Sequence, residues 1–291
     1  MEYYIRLYSF DIFDTLITRN TANPKGIFAI IQNELKQYKE IPDYIKENFF
    51  EIRIATERYL RKYACSNEIQ EITLEQIYDE IALNNCLSSE IVGLLKQIEK
   101  KVEVRNVLPV SENIDIIRNL LNNNKRVILI SDMYHSTSTI REILCNVDSI
   151  FKNITIYVSS QYKKNKYTGD LYKIVHSIEN IDYKDWQHMG DNMQVDIEAA
   201  KKLGINTVYF PSSSLTEHER FFIKTYSKEL SLQLALGVIK NIKVLNPNNT
   251  NWIVGVSIGG PLLYLYVNWI LEQSKKRILR NYILLLGMDI Y

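Results

Sequence analysis

The chain has 291 residues, 46% of them hydrophobic, enough to bury the core of one large or two ordinary domains without covalent staples. Its 35 Lys and Arg against 34 Asp and Glu leave a formal charge of +1, which offers no basic field for nucleic acid or for an anionic membrane surface. Cys65, Cys86 and Cys145 lie far apart with no CxxC spacing, which excludes a thiolate zinc site and a disulfide framework. They are expected as buried small hydrophobes in a reducing compartment.

The opening MEYYIRLYSFDIFD carries acids and no apolar h-region, so it does not read as a signal peptide, and the cytoplasm is the default expectation. Five short, apolar, β-branched-rich runs follow, at residues 6–14, 126–132, 154–160, 186–191 and 206–211, and read as strands buried on both faces. Helical patterns at 137–145, 170–178 and 195–203 separate the later four, the last stopped by Gly204. That alternation predicts an α/β fold with a doubly wound, parallel, Rossmann-like sheet, whose ligands sit beyond the carboxyl ends of the strands. Asp11, Ser131 and Asp191 all fall at such ends.

Residues 23–103, between the first and second runs, exceed what a crossover needs. Helical periodicity at 28–37, 42–62, 73–83 and 89–102 predicts a small bundle over the strand ends, either a lid that chooses the substrate or a structural decoration. The expected division is therefore a core of residues 1–22 and 104–215, a helical insertion at 23–103, and a helical extension at 216–291. In that extension a helix at 217–240 precedes an Asn/Pro-rich linker. Residues 252–271 carry no charge and are followed by Lys275, Lys276 and Arg277. Their length and flank suit a membrane span, but Gly259-Gly260-Pro261 and Asn268 interrupt them, so a loop followed by a buried helix is expected. The run YILLLGMDIY at 282–291 reads as a strand at the start of an unfinished domain.

A carboxylate at the end of a buried apolar strand is costly unless a cation meets it, although a lone aspartate there can also be a helix cap. Read in chain order, four strings change the weight of Asp11: FDIFDT, VILISD with Ser131 and Asp132, NKYTGDLY with Lys166, and HMGDNMQVD with Asp191 and Asp196. Each has a part in phosphoryl transfer, in which a carboxylate attacks, a hydroxyl and an ammonium bind phosphate oxygens, and further carboxylates hold a divalent cation between two anions. Ser131 can also cap the following helix, Lys163 and Lys164 compete with Lys166, and His135 and His188 read as structural histidines.

This order of motifs resembles the haloacid dehalogenase superfamily across residues 6–211, with the helical cap inserted after the first strand. The resemblance implies a hydrolase acting on a small phosphorylated metabolite with Mg²⁺. It makes Asp11 the nucleophile, Ser131, Asp132 and Lys166 the substrate-binding residues, and Asp11, Phe13, Asp191 and Asp196 the metal-holding positions. FDIFDTL, ISDMY, KYTGDLY and GGPLLYLYVNWILEQ further resemble a branch of predicted hydrolases associated with bacterial surface polysaccharide synthesis.

The departure is at Phe13, where phosphatases of the superfamily place the Asp that protonates the leaving oxygen. Asp14 is the alternative acid, although strand alternation puts residues 11 and 13 on one face and turns 14 away. Phe13 keeps two other readings open: a phosphate-binding or scaffold domain of weak activity, and a dehalogenase, since halide leaves without a proton. Within the cap, Arg53, Glu57 and Arg58 are expected to touch the substrate.

Overall fold

The computed structural model describes residues 5–66, 69–211, 217–245 and 250–277. In chain order the strands are β1 (Leu7–Phe10), β2 (Ile17–Arg19), β3 (Val107–Pro109), β4 (Arg126–Ser131), β5 (Thr155–Val158), β6 (Trp186–Gly190) and β7 (Asn206–Tyr209). Helices α1 (Gly26–Leu35), α2 (Asp43–Ser66), α3 (Leu74–Asn85) and α4 (Ser89–Arg105) lie between β2 and β3. They are followed by α5 (Ser111–Asn122), α6 (Thr137–Val147), the one-turn α7 (Ser159–Tyr162), α8 (Asp170–Glu179), α9 (Ala199–Lys202), α10 (Glu217–Thr225) and α11 (Leu230–Leu245).

β5, β4, β1, β6 and β7 form, in that order, a five-stranded parallel sheet, as the alternating pattern predicts. Helices cover both faces, so β4 is buried from Val127 to Ser131, and an apolar run without alternation is what its sequence needs. β1 is shorter than the expected 6–14. Asp11 still donates its N–H to Met189 O at 2.8 Å, but then the Ile12 carbonyl takes Leu16 N and Ile17 N, and the chain turns with Asp14 at φ +60°. Phe13 and Asp14 are therefore turn residues and not strand residues.

β2 and β3 pair antiparallel, Ile17 with Pro109 and Arg19 with Val107, and close the neck of the helical insertion. This ribbon was not expected, because each strand is three residues long and its partner is remote in sequence. α5 was also missed, although SENIDIIRNLLN has helical periodicity and buries Ile114 and Ile117. Its Asn113 donates to Thr15 O at 2.7 Å and so holds the turn that follows β1.

The four helices of the insertion share a core of Ile27, Ile31, Ile45, Phe49, Ile77, Ile81, Leu95 and Val102. Thr73 and Gln76 make a capping box at the start of α3, and Ser88 caps α4, so local sequence sets both starts. In place of the single helix expected at 217–240, α10 and α11 are separated at Tyr226–Glu229, and α11 lies against α1. A Cβ on Gly237 would meet Asn20 O at 2.2 Å, so only glycine allows that approach. Cys65 and Cys86 are exposed and Cys145 is half-buried, against the expectation of buried thiols; Cys86 is the left-handed C-cap of α3, a position at a helix end and not in a core.

The chain divides into compact units at Leu245. In the second unit α12 (Thr250–Val254), a π-helical turn at Gly255–Gly259 and α13 (Gly260–Arg277) follow one another. The expected loop and buried helix are thus corrected: the glycines give a π turn within helix, and Trp252, Leu262, Leu263 and Trp269 are exposed. No described helix is long and apolar enough to cross a membrane. The run at 282–291 lies outside the described residues.

Two buried ion pairs tie the insertion together and to the turn after β1. Arg53 on α2 is fully buried and grips Glu99 on α4 through two bonds of 2.9 Å, with Glu57 at 2.9 Å and the Phe28 and Tyr134 rings at 4.5 and 4.8 Å. Its charge is used inside the protein, whereas Arg58 on the same helix is exposed. One turn along α4, Glu103 accepts two bonds from Arg19, at 3.0 and 3.1 Å, while the Arg19 guanidinium covers the Phe13 ring at 4.0 Å.

Burial alone would raise the Glu103 pKa, but Arg19 and His135 together outweigh it and pull it from 4.5 to about 2. Because folding depresses this pKa, the unfolded chain takes up the proton first. The pair's contribution is complete above about 4.5 and is lost as pH falls through about 2. Glu103→Gln should cost about 3–5 kcal/mol in urea denaturation at pH 7, since it leaves Arg19 buried and uncompensated. The gap between the two proteins should narrow as the pH is lowered from 5 toward 3, and a gap independent of pH would reject the assignment.

Candidate functional site

β4, β1 and β6 are adjacent and in register, Phe10 facing Leu129 and Met189, so their carboxyl ends bring Asp11, Ser131 and Asp191 to one edge of the sheet. Asp11, Ser131, Lys166 and Asp196 are buried, and Asp191 is half-buried. Lys166 arrives from the loop between α7 and α8. Both Asp132 carboxylate oxygens accept its backbone N–H, at 2.9 and 3.0 Å, and Gly169, at φ +81°, closes the loop by donating to Lys166 O at 2.8 Å. Of Lys163, Lys164 and Lys166 only the last is buried. The insertion steadies this loop: Gln70 accepts from Asn165 N at 3.1 Å and Thr168 Oγ1 at 2.9 Å, and Glu71 accepts from Ser159 Oγ at 2.9 Å.

The Lys166 ammonium lies between two carboxylates, donating to Asp11 Oδ1 at 2.5 Å and to Asp196 Oδ1 at 2.6 Å. Asp196 Oδ2 accepts the Asn192 N–H at 3.0 Å, and Asn192 Oδ1 caps a π-helix at Met193–Glu198, which stands where a regular helix was expected to begin. That wider turn carries Asp196 back over the strand end. Its carboxylate presses so close to Gly190 that a Cβ there would lie 2.4–2.5 Å from it, which is why a glycine precedes Asp191.

One oxygen each from Asp11, Asp191 and Asp196 lie within 4.8 Å of one another, and Thr15 Oγ1 donates to Asp191 at 3.5 Å. At that spacing two carboxylates repel by about 3 kcal/mol or more at an effective dielectric of about 20. Burial raises the Asp11 pKa, and Asp196 and Asp191 raise it further against the pull of Lys166. Burial would raise Asp196, but Lys166 and His188 together outweigh it and hold it below the usual carboxylate range. Asp132 is pushed by burial up to about 6 despite Lys166. A single ammonium does not balance three carboxylates, and the hard oxygen donors left over suit Mg²⁺ or a similar divalent cation.

The structure therefore brings together Asp11, Lys166, Asp191 and Asp196, with Asp132 behind Lys166 and Ser131 at the end of the neighbouring strand. Phe13 is half-buried under Arg19, and the Asp14 carboxylate faces elsewhere, taking Thr18 Oγ1 at 3.0 Å and Lys240 Nζ at 3.4 Å. His188 was read as structural, yet its Nε2 lies 3.3 Å from Asp196 Oδ1 and its Nδ1 2.7 Å from Ser9 Oγ. Its position on β6 two residues before Gly190, eight residues ahead of the acid it meets, was the available signal.

No family model matches the sequence, and no curated protein matches it. Solved structures do resemble the fold. A 2-haloacid dehalogenase from Pseudomonas syringae pv. tomato DC3000 is 14% identical and aligns over 73% of this chain and 89% of that one with a TM-score of 0.51. The L-2-haloacid dehalogenase of Xanthobacter autotrophicus is 11% identical over 79% of this chain and 86% of that one, with a TM-score of 0.50. At such identities the likeness is one of fold.

Gly190→Ala tests the packing of the site. The added methyl collides with the Asp196 carboxylate, so the variant should lose about 1–3 kcal/mol in urea denaturation. Unchanged stability would mean that Asp196 does not lie over the strand end.

Proposed function

We propose that this chain, whose fold is that of the haloacid dehalogenase superfamily, is a phosphatase that moves a phosphoryl group from a small metabolite to Asp11 and then to water. The observation that carries the reading is the cluster of Asp11, Asp191 and Asp196 around one buried ammonium. Three carboxylates this close repel one another, and a phosphate dianion beside them would add to the repulsion. The donor set fits Mg²⁺, with Asp11, Asp191 and Asp196 as the side chains that would hold it; when bound, it neutralises charge between the carboxylates and the phosphate.

The chain's own residues then divide the work. An Asp11 oxygen attacks phosphorus, forming an aspartyl phosphate as the bond to the leaving oxygen breaks; a water oxygen next attacks that phosphorus and restores the carboxylate, giving inorganic phosphate. Lys166 and Ser131 bind the phosphoryl oxygens, and Asp132 holds the Lys166 backbone in place. Helices α1–α4 act as the cap that excludes water and chooses the substrate. A sugar phosphate suits the resemblance to the polysaccharide-associated branch. Phe13 favours a second reading, hydrolytic dehalogenation at the same Asp11, and release of halide from 2-haloacids without dependence on Mg²⁺ would establish it instead.

Asp11→Asn should lower kcat on p-nitrophenyl phosphate by at least about 10³-fold while the fold and phosphate affinity persist, because the near-isosteric amide does not attack phosphorus. Retained turnover would remove Asp11 as nucleophile.

Phe13 generates the second prediction. Without an acid at that place the leaving oxygen departs with its charge, so kcat/KM across aryl and alkyl phosphates should fall steeply with leaving-group pKa. Phe13→Asp should recover less than the ~10²-fold that general acid catalysis supplies, since Arg19 beside that position holds a new carboxylate ionised. Asp14→Asn should leave the slope unchanged, as asparagine tolerates the left-handed backbone. A shallow wild-type slope that steepens in Asp14→Asn would make Asp14 the acid.

A further inference from the structure

Beneath the carboxylates runs a second line of buried polar side chains, Trp186, Ser9 and His188, from the two central strands. Trp186 Nε1 donates to Ser9 Oγ at 2.7 Å, and an indole N–H does nothing but donate, so Ser9 is the acceptor there. The Ser9 hydroxyl proton then has two places to go: His188 Nδ1 at 2.7 Å, or Gln187 O at 3.5 Å. The shorter contact makes Nδ1 the acceptor and leaves the ring proton on Nε2, which faces Asp196 Oδ1 at 3.3 Å. The opposite tautomer would set an Nε2 lone pair against a carboxylate oxygen. Tyr172 meets the ring edge-on, centroids 5.2 Å apart at 72°, and fixes its plane.

Resting on the phosphatase reading of the same site, we propose that His188 is a positioning residue: Ser9 and Trp186 hold it as the Nε2–H tautomer, and it donates to Asp196 so that Asp196 keeps the Lys166 ammonium on Asp11. The Asp196 carboxylate is then fixed from three sides, by His188 and Lys166 on Oδ1 and by the Asn192 N–H on Oδ2. It does not rotate to follow a bound cation or substrate, and Lys166 stays where the phosphoryl oxygens arrive. A histidine that only filled space would need no particular tautomer and no serine to set it.

The test combines two-bond ¹H–¹⁵N NMR of ¹⁵N-histidine-labelled protein with kinetics on p-nitrophenyl phosphate. The His188 signal is identified by its loss in His188→Gln. The wild type should show the Nε2–H tautomer, and Ser9→Ala should bring in the Nδ1–H form. In the same Ser9→Ala protein kcat should fall about tenfold with KM within about twofold, the scale of a weakened hydrogen bond to a charged group. His188→Leu should lose about 10–100-fold in kcat, and His188→Gln, which retains an N–H donor, should recover most of that. Ser9→Ala does not touch Asp196 or Lys166, so it decides the matter even if His188→Leu fails to fold. An Nδ1–H tautomer in the wild type, or wild-type kcat in folded Ser9→Ala and His188→Leu, would overturn the proposal. If the wild type hydrolyses no phosphate ester the phosphatase reading falls by itself, and the tautomer and its response to Ser9→Ala still decide the position of His188.

Discussion

Three carboxylates lie close together beyond the strand ends, two of them on one buried ammonium, and much of the local architecture exists to keep them there. Lys166 is taken out of water by the sheet edge and by its own loop, and its charge is satisfied because Asp11, just past β1, and Asp196, in the π-helical turn after β6, close on it. Removing either acid would leave a buried ammonium half-compensated, and removing the lysine would leave the acids facing one another. This mutual dependence explains features that look unrelated in the chain: a glycine at 190 to admit Asp196, a π turn to bring Asp196 over the strand, and a left-handed glycine at 169 to return the Lys166 loop.

The helical insertion is joined to this arrangement by charge as well as by apolar packing. α4 supplies Glu99 to Arg53 within the insertion and Glu103 to Arg19 beyond it, so a single helix face links the bundle to the segment after β1. Arg19 in turn covers the Phe13 ring. Phe13 is thus part of a packed stack with an arginine and a glutamate, and a carboxylate placed there would meet a cation that keeps it charged. Gln70 and Glu71 join the same insertion to the loop and strand end near Lys166. The insertion is thus held to the rest of the fold by hydrogen bonds at the Lys166 loop as well as by buried ion pairs.

The alternating apolar runs and helical patterns were sufficient for the parallel sheet, because strands buried on both faces and helices of period 3.6 leave their mark in adjacent residues. The four polar strings at the strand ends were legible for the same reason: Asp11, Ser131, Lys166 and Asp191 each stand next to the local signal that positions them, an apolar strand or a turn glycine. What was not legible depended on residues far apart in the chain. The β2–β3 ribbon, the capture of Asp14 by Lys240, the burial of Arg53 and the contact of His188 with Ser9 and Asp196 all require the sheet and helices to be assembled first. Sequence by itself determined the parallel sheet and which polar side chains stand at its carboxyl edge. Only the tertiary structure decided which charges neutralise one another inside the protein, because compensation between buried charges is set by distances of a few ångströms that no spacing along the chain encodes.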